Sequence, residues 1–298
     1  MTDEPCIVDA AWLKEKIEAG AKNIVVADGT WHLPVWKRNA EEEHKSCRIK
    51  GAVRFDLTKI KDTSNPLPFM MPPPEHFEDC VGKLGISNDS HVVVYDNNSL
   101  FGGFSAARVW FMFHAMGHKN VSMLNGGLPE WNKNGGQTES GPPNQPEPVS
   151  YKATFKPELT RSFDNMMDNL KNKKEAVVDG RSSGRYNGTA PEPNPTVPSG
   201  HMIGSCSLPF TELLDQGTKL LKSQEGMKEA FAQRGVDLSQ PSVCMCGSGL
   251  TACWISFAAH CCGLPPVALY DGSWFEWQKK APEDLKTKGV KGEDLPKN

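Results

Sequence analysis

The sequence predicts an α/β fold built twice: tandem domains, each a mostly parallel sheet flanked by helices. Three observations carry this. Short β-branched runs alternate with helix-length apolar segments along the chain, the pattern of strands joined by crossover helices. A polar, Pro-rich stretch, 137–150, interrupts the alternation, which then restarts. A shift of 146 residues lays Ser105–Trp131 on Thr251–Trp277, matching Ala106 to Ala252, Phe111 to Phe257, Gly117 to Gly263, Gly126 to Gly272, Glu130 to Glu276 and Trp131 to Trp277. The domains are therefore expected at 1–136 and 151–298, with 137–150 as the linker.

Each element has a local reason. Ile7, Ala11, Trp12 and Ile17 have helical spacing over 7–19. Ile24 to Ala27 reads as a buried strand ending at Asp28-Gly29. Residues 36–50 are heavily charged and read as a solvated helix or loop, followed by a strand from Ala52 to Leu57. Residues 62–74 are Pro-rich and aperiodic, hence a surface loop. Glu75–Leu84 reads as a helix closed by Gly85, His91–Tyr95 as a strand, Ser105–Met116 as an apolar helix closed by Gly117, and Val121–Leu124 as a strand. After the linker come a helix at Phe163–Leu170, a strand at Ala176–Val178 ending at Asp179-Gly180, and a Pro-rich loop over 189–199. A short strand around Gly204–Leu208, a helix at Glu225–Arg234 and strands at Ser242–Met245 and Val267–Tyr270 complete the second set.

Composition narrows the function. The chain of 298 residues is 38% hydrophobic and 23% charged with a formal net charge of -3, which gives no case for nucleic-acid or membrane binding. No apolar run approaches the ~18 residues needed to cross a bilayer. The stretch Met1 to Cys6 resembles neither a secretory signal nor an Arg-rich transit peptide, so a cytoplasmic location is expected, a mitochondrial one remaining open. The 9 cysteines include no Cys-x-x-Cys, and Cys244-x-Cys246 and Cys261-Cys262 lack the second half of a zinc site. They are expected to be mostly reduced, with no metal and no cofactor.

One cysteine stands apart. Cys246-Gly247-Ser248-Gly249-Leu250-Thr251 joins a strand to an apolar segment, Thr251–Cys262, so Cys246 lies at a helix N-terminus, where backbone N–H groups and the helix dipole favour a thiolate. Its counterpart in the first copy is Asp96, heading a loop four residues longer. The second half is thus the working copy. In parallel sheets ligands bind at the carboxyl ends of strands, where this loop falls.

Cys246-Gly-Ser-Gly-Leu-Thr251 resembles the active-site loop of the 3-mercaptopyruvate sulfurtransferases of the two-domain rhodanese superfamily. Tyr270–Trp277 is similar to the C-terminal signature of that superfamily, and Gly200-His-Met-Ile-Gly204 to its Gly-His-x-x-Gly turn. Val178 to Thr189, followed by Pro191-Glu-Pro193, is similar to its arginine-bearing segment. The resemblance spans essentially the whole chain. It implies a Cys246 persulfide formed from 3-mercaptopyruvate, pyruvate as product, and a thiol acceptor such as thioredoxin. It implies that Arg185 holds the substrate carboxylate, that Ser248 faces the incoming sulfur or carbonyl, and that the amides of Gly247, Ser248, Gly249, Leu250 and Thr251 surround the sulfur. Asp179 is assigned a supporting role toward the loop amides, Arg181 a structural pairing with an acid, and His201 a packed structural role.

Departures from the family pattern are equally specific. A second substrate arginine would fall at Asn194, whose amide can still hydrogen-bond the substrate's carboxylate or keto oxygen, and the acid and histidine of a proposed first-domain triad would fall at Thr58 and Phe69. A Cys-based phosphatase needs an arginine six residues after the cysteine, and that residue is Ala252. Two other readings remain: a thiosulfate:cyanide sulfurtransferase, whose loop is typically basic where this one has Gly247 and Ser248, and a persulfide carrier or redox-sensing module without turnover.

Overall fold

The computed structural model describes residues 4–143, 145–287 and 289; Met1 to Asp3, part of the stretch read for a leader, lie outside the described residues. The chain forms two compact units. The first comprises Met1–Ser64, Met71–Lys156 and Leu214–Leu221, and so runs through 137–150; the second comprises Asn65–Met70, Pro157–Leu213 and Lys222–Asn298.

In the first unit the elements follow as β1 (Ile7–Val8), α1 (Ala10–Glu18), β2 (Ile24–Asp28), α2 (Ala40–Ser46), β3 (Arg48–Ile49) and β4 (Val53–Arg54). Then come α3 (Pro74–Lys83), β5 (His91–Tyr95), α4 (Ala106–Ala115), β6 (Val121–Leu124), α5 (Gly127–Lys133) and β7 (Thr138–Glu139). Parallel pairing gives the order β1-β6-β5-β2-β4, while β3 and β7 form a small antiparallel ribbon. The helical reading of residues 7–19 is corrected at its start. Ile7 and Val8 pair with Met123 and Leu124, and the Asp9 carboxylate accepts the Trp12 N–H, so the helix begins at Ala10. A β-branched pair followed by an N-cap residue is the local signal for that break. The charged stretch 36–50 resolves into a helix capped by Asn39 and the strand β3.

The second unit repeats the plan: β8 (Thr160–Arg161), α6 (Phe163–Asn172), β9 (Ala176–Asp179), α7 (Ser183–Tyr186), β10 (Cys206–Ser207), α8 (Gln224–Gln233), β11 (Ser242–Met245), α9 (Cys253–Cys261), β12 (Ala268–Tyr270) and α10 (Ser273–Lys280). Its parallel sheet has the order β10-β9-β11-β12-β8, which is the first unit's order read from β4 to β1. The internal repeat is therefore a repeat of topology. It extends to the cores: Leu124, Leu128 and Trp131 of the first core become Tyr270, Trp274 and Trp277 of the second under the same shift.

The central strands β5 and β11 are buried at every residue, as expected for parallel strands covered on both faces. Neither can place a polar side chain in solvent along its length. At their carboxyl ends follow Asp96 and Cys246, both still buried.

Candidate active site

β11 delivers Cys246, 2% exposed, at the head of a loop that α10 holds by its backbone. The Trp274 N–H donates to the Cys246 carbonyl at 2.9 Å and the Phe275 N–H to the Gly247 carbonyl at 2.9 Å. The Cys246 N–H donates to Ser273 Oγ at 3.1 Å, and that hydroxyl donates to the Tyr270 carbonyl at 2.9 Å. The first N–H groups of a helix have no partner within it. Here they secure the loop, and no side chain of the loop is consumed in doing so.

Gly249 takes φ 74°, a left-handed conformation that favours glycine. Ser248 is half-buried, and its hydroxyl makes no hydrogen bond among the described residues. It does not cap the following helix: α9 starts at Cys253, with Ala252 at the cap position. Leu250 and Thr251 are buried. Cys244, two residues before Cys246 on the same strand, is a different case: burial first, then the neighbouring sulfurs of Cys253 and Cys246, push its thiol well above its ordinary range. That thiol is structural.

Beside the loop lies a chain of alternating charges. Met245 pairs with Asp179 in the parallel ladder, so the end of β9 adjoins the end of β11. Asp179 is fully buried, and its carboxylate accepts from Arg181 through N–H, Nε and Nη2 at 3.0, 3.0 and 2.6 Å. Asp179 thus bonds Arg181, two residues away, and among the described residues no loop amide donates to it. Arg181 Nη1 donates to Glu192 Oε1 at 2.8 Å, and its guanidinium lies 4.7 Å from the centre of the Trp274 ring. Burial disfavours the charge on Arg181, but Asp179 and then Glu192 more than offset this, and its pKa is raised above the usual arginine value. Glu192 then grips Arg185, taking Nε at 3.1 Å on Oε1 and Nη2 at 2.5 Å on Oε2.

Arg185 reaches the loop itself. A Cβ placed on Gly247 would lie 2.7 Å from Arg185 Nη2, 3.6 Å from Glu192 Oε2 and 3.6 Å from Phe275. Arg185 Nη1 has no hydrogen-bond partner among the described residues, and the side chain is 21% exposed. The structure therefore brings together Cys246, Gly247, Arg185 and, through Arg181, Asp179.

Asn194 is not drawn in. It is exposed, and its side-chain oxygen closes its own turn onto Thr196 N and Oγ1 at 3.1 and 2.9 Å. His201 stacks on Tyr186 with ring centroids 3.9 Å apart and bonds the Tyr186 carbonyl, the packed role expected of it. Thr58 is exposed and bonds Asp56; Phe69 is buried with φ 59°. Sequence reasoning placed Glu192 in the family's arginine-bearing segment but gave it no role of its own.

Cys47, Cys80, Cys206, Cys244, Cys246, Cys253 and Cys262 are free thiols. Cys6 and Cys261 are disulfide-bonded, so most but not all of the cysteines are reduced. Among the described residues no helix is long and apolar enough to cross a membrane, and no cluster of His, Cys, Asp and Glu could hold a metal.

Known proteins share this fold over most of its length. The family model described as "Rhodanese-like domain" matches twice, at residues 9–134 and 162–280. The thiosulfate sulfurtransferase of Rattus norvegicus is 43% identical over 283 residues, covering 94% of each chain. The 3-mercaptopyruvate sulfurtransferase of Homo sapiens is 40% identical over 286 residues, covering 95% of each. Among solved structures, SseA from Escherichia coli, described with the 3-mercaptopyruvate sulfotransferases, superimposes with a TM-score of 0.80 at 32% identity, covering 91% of this chain and 99% of its own. The sulfur transferase subunit of yeast mitochondrial complex I does so with a TM-score of 0.85 at 33% identity, covering 95% and 99%.

Proposed function

Because the chain belongs to the rhodanese family and is a sulfurtransferase, we propose that its sulfur donor is 3-mercaptopyruvate and that Cys246 carries the sulfur. The observation that supports this donor most is the loop itself: Gly247 and Ser248 bring no charge, and the cation that reaches the loop, Arg185, is already paired with Glu192. That environment suits a monoanionic keto acid better than dianionic thiosulfate.

In the proposed reaction the Cys246 thiolate attacks the sulfur of 3-mercaptopyruvate. The S–S bond forms as the C–S bond breaks, the electron pair leaving on carbon as the enolate of pyruvate. The thiol proton stays on the new persulfide or passes to the enolate, giving pyruvate. A thiol acceptor, for which thioredoxin is the family's example, then attacks the outer sulfur and regenerates Cys246. This is covalent catalysis in two half-reactions. Arg185 Nη1 is the free donor for the substrate carboxylate, and Ser248 Oγ the free hydroxyl beside the incoming sulfur.

The first copy supports the role given to the loop amides. Asp96, at the position of Cys246, has Oδ2 held by the N–H groups of Phe104, Ser105 and Ala106 at 2.7, 2.6 and 2.8 Å. Three N–H groups at this strand end and helix start thus converge on one oxygen, although burial outweighs them and holds the Asp96 carboxyl above its ordinary range. Under the repeat the same backbone positions are Leu250, Thr251 and Ala252.

After incubation with 3-mercaptopyruvate, mass spectrometry is expected to find one added sulfur, about 32 Da, on the Cys246 peptide and none in Cys246→Ser. An adduct that survives the substitution would overturn the assignment of Cys246. The reading as a thiosulfate:cyanide sulfurtransferase is favoured by the rat relative's name at 43% identity. A kcat/KM higher for thiosulfate than for 3-mercaptopyruvate would establish it. Persulfide formation without turnover would identify a carrier.

A further inference from the structure

The arginine-bearing segment is held from behind by a stretch that carries no motif. Residues 285–287 run antiparallel to residues 201–203. The Ile203 N–H donates to the Leu285 carbonyl at 3.0 Å, Met202 bridges Lys286, and the Thr287 N–H donates to the His201 carbonyl at 3.0 Å. Thr287 adds its side chain to this ribbon: Oγ1 accepts the His201 N–H at 2.8 Å and lies 3.2 Å from His201 Nδ1. Lys286, buried, fixes the middle of the stretch by donating from Nζ to the Gln278 carbonyl at 2.6 Å.

The residue clamped by this ribbon is Gly200. Its φ of 124° suits glycine, and a Cβ there would lie 2.5 Å from the Thr287 carbonyl oxygen and 2.9 Å from Thr287 Oγ1. Gly200 touches both arginines of the site. Its carbonyl accepts Arg181 Nη2 at 2.6 Å, and its N–H donates to the Arg185 carbonyl at 2.9 Å. Arg181 also holds Glu192, which holds the Arg185 guanidinium. The Gly200 carbonyl and the His201 N–H are the two ends of one planar peptide unit. A hydroxyl that fixes the N–H end therefore fixes the direction of the carbonyl end, at a glycine that would otherwise leave the plane free to turn.

We propose that Thr287 is a positioning residue for sulfur transfer: it pins the peptide plane between Gly200 and His201, and through Arg181 and Glu192 it aims Arg185 at the anionic group of the donor. The proposal rests on the reading of Arg185 as the donor-binding residue and carries the supports of the site out to residue 287. Thr287 acts only through these intermediaries.

The experiment compares Thr287→Val, which keeps the shape and removes the acceptor, with Thr287→Ser, which keeps the acceptor. The donor is whichever of 3-mercaptopyruvate and thiosulfate the native protein uses with the higher kcat/KM. In Thr287→Val the KM for that donor is expected to rise roughly tenfold, about what misaiming one charge-assisted hydrogen bond costs, with kcat within about twofold of the native value. Thr287→Ser is expected to restore the native KM. A role confined to stability would lower the folded fraction, and with it kcat, and leave KM where it was. That result, or a KM in Thr287→Ser as high as in Thr287→Val, overturns the proposal. Valine leaves the His201 N–H without an acceptor, so a variant that folds more readily is kept in reserve. Thr287 is half-buried, and in Thr287→Ala water can enter to satisfy that N–H without fixing the plane. The same rise in KM is expected there, and an unchanged KM overturns the proposal. Arg185→Gln separates this from the underlying reading. An unchanged KM in that variant shows that Arg185 does not hold the donor, and the proposal falls with it. A raised KM in Arg185→Gln beside an unchanged one in Thr287→Val overturns the proposal alone.

Discussion

At the scale of single residues, the site works by what is absent. Gly247 has no side chain because Arg185 Nη2 stands where a Cβ would go. Gly247→Ala is expected to push the guanidinium off the loop and lower kcat/KM for 3-mercaptopyruvate about tenfold, roughly what one charge-assisted hydrogen bond contributes. Its melting temperature should change little, because the displaced end is a flexible side chain; steady-state assays and a thermal melt check both halves. How far these residues could be read from sequence varies. Cys246 and Arg185 sit in recognisable motifs, and the structure places the Arg185 side chain against the cysteine loop. Asp179 was given the loop amides, but a carboxylate at a strand end binds the nearest strong donors, and Arg181 two residues on supplies three. Asn194 stands where the family has an arginine, yet an Asn two residues before a Thr closes its own turn. Glu192 lies in a recognisable motif, but its contacts with two arginines are set by the fold that brings them to it.

At the scale of elements, the start of α10 is the part that sequence reasoning missed. Tyr270 to Trp277 reads in sequence as a signature, without a helix behind it, because eight residues with two tryptophans and a phenylalanine show no clear polar face. The helix exists to present N–H groups to Cys246 and Gly247. Its first residue tells how. Ser273 has φ 51°, and the matching residue of the first copy is Gly127, with φ 57°. A non-glycine residue in that region carries strain. In return Ser273 accepts the Cys246 N–H. Two substitutions separate the terms. Ser273→Gly loses the hydroxyl but relieves the backbone; Ser273→Ala loses the hydroxyl and keeps the strain. Ser273→Ala is expected to be the less stable of the two by about 1 kcal/mol, with both variants slower in sulfur transfer than the native protein. Urea unfolding gives the order, and Ser273→Gly proving less stable than Ser273→Ala would refute the account.

At the scale of the whole molecule, the alternation of strands and helices and the 146-residue shift made the doubled α/β plan legible, because topology follows from the order of elements. The partners of the buried charges did not follow. The first unit buries Asp28 where the second buries Asp179, but its partners are His44 Nδ1 at 2.6 Å and the Thr30 N–H at 2.9 Å in place of an arginine fork. Burial raises the pKa of Asp28, yet the bond to His44, the charge of Arg54 and the bond to Thr30 together hold it below its ordinary 3.8. A depressed carboxyl contributes stability that is present above its unfolded pKa and is lost as pH falls through the folded one. Asp28→Asn is therefore expected to be less stable than the native protein at pH ~7, with the gap narrowing below pH ~4. Denaturant midpoints across that range measure it, and a gap of constant size would refute it. The composition of the units has a last consequence, which concerns time. Leu214–Leu221 belongs to the first unit, where the Leu221 N–H donates to Asn125 Oδ1 at 2.9 Å. A ribosome delivers the chain from its N-terminus at about 5–20 residues per second. The first unit therefore stays incomplete while much of the second half is being synthesised, and a nascent chain halted near residue 156 still lacks this piece.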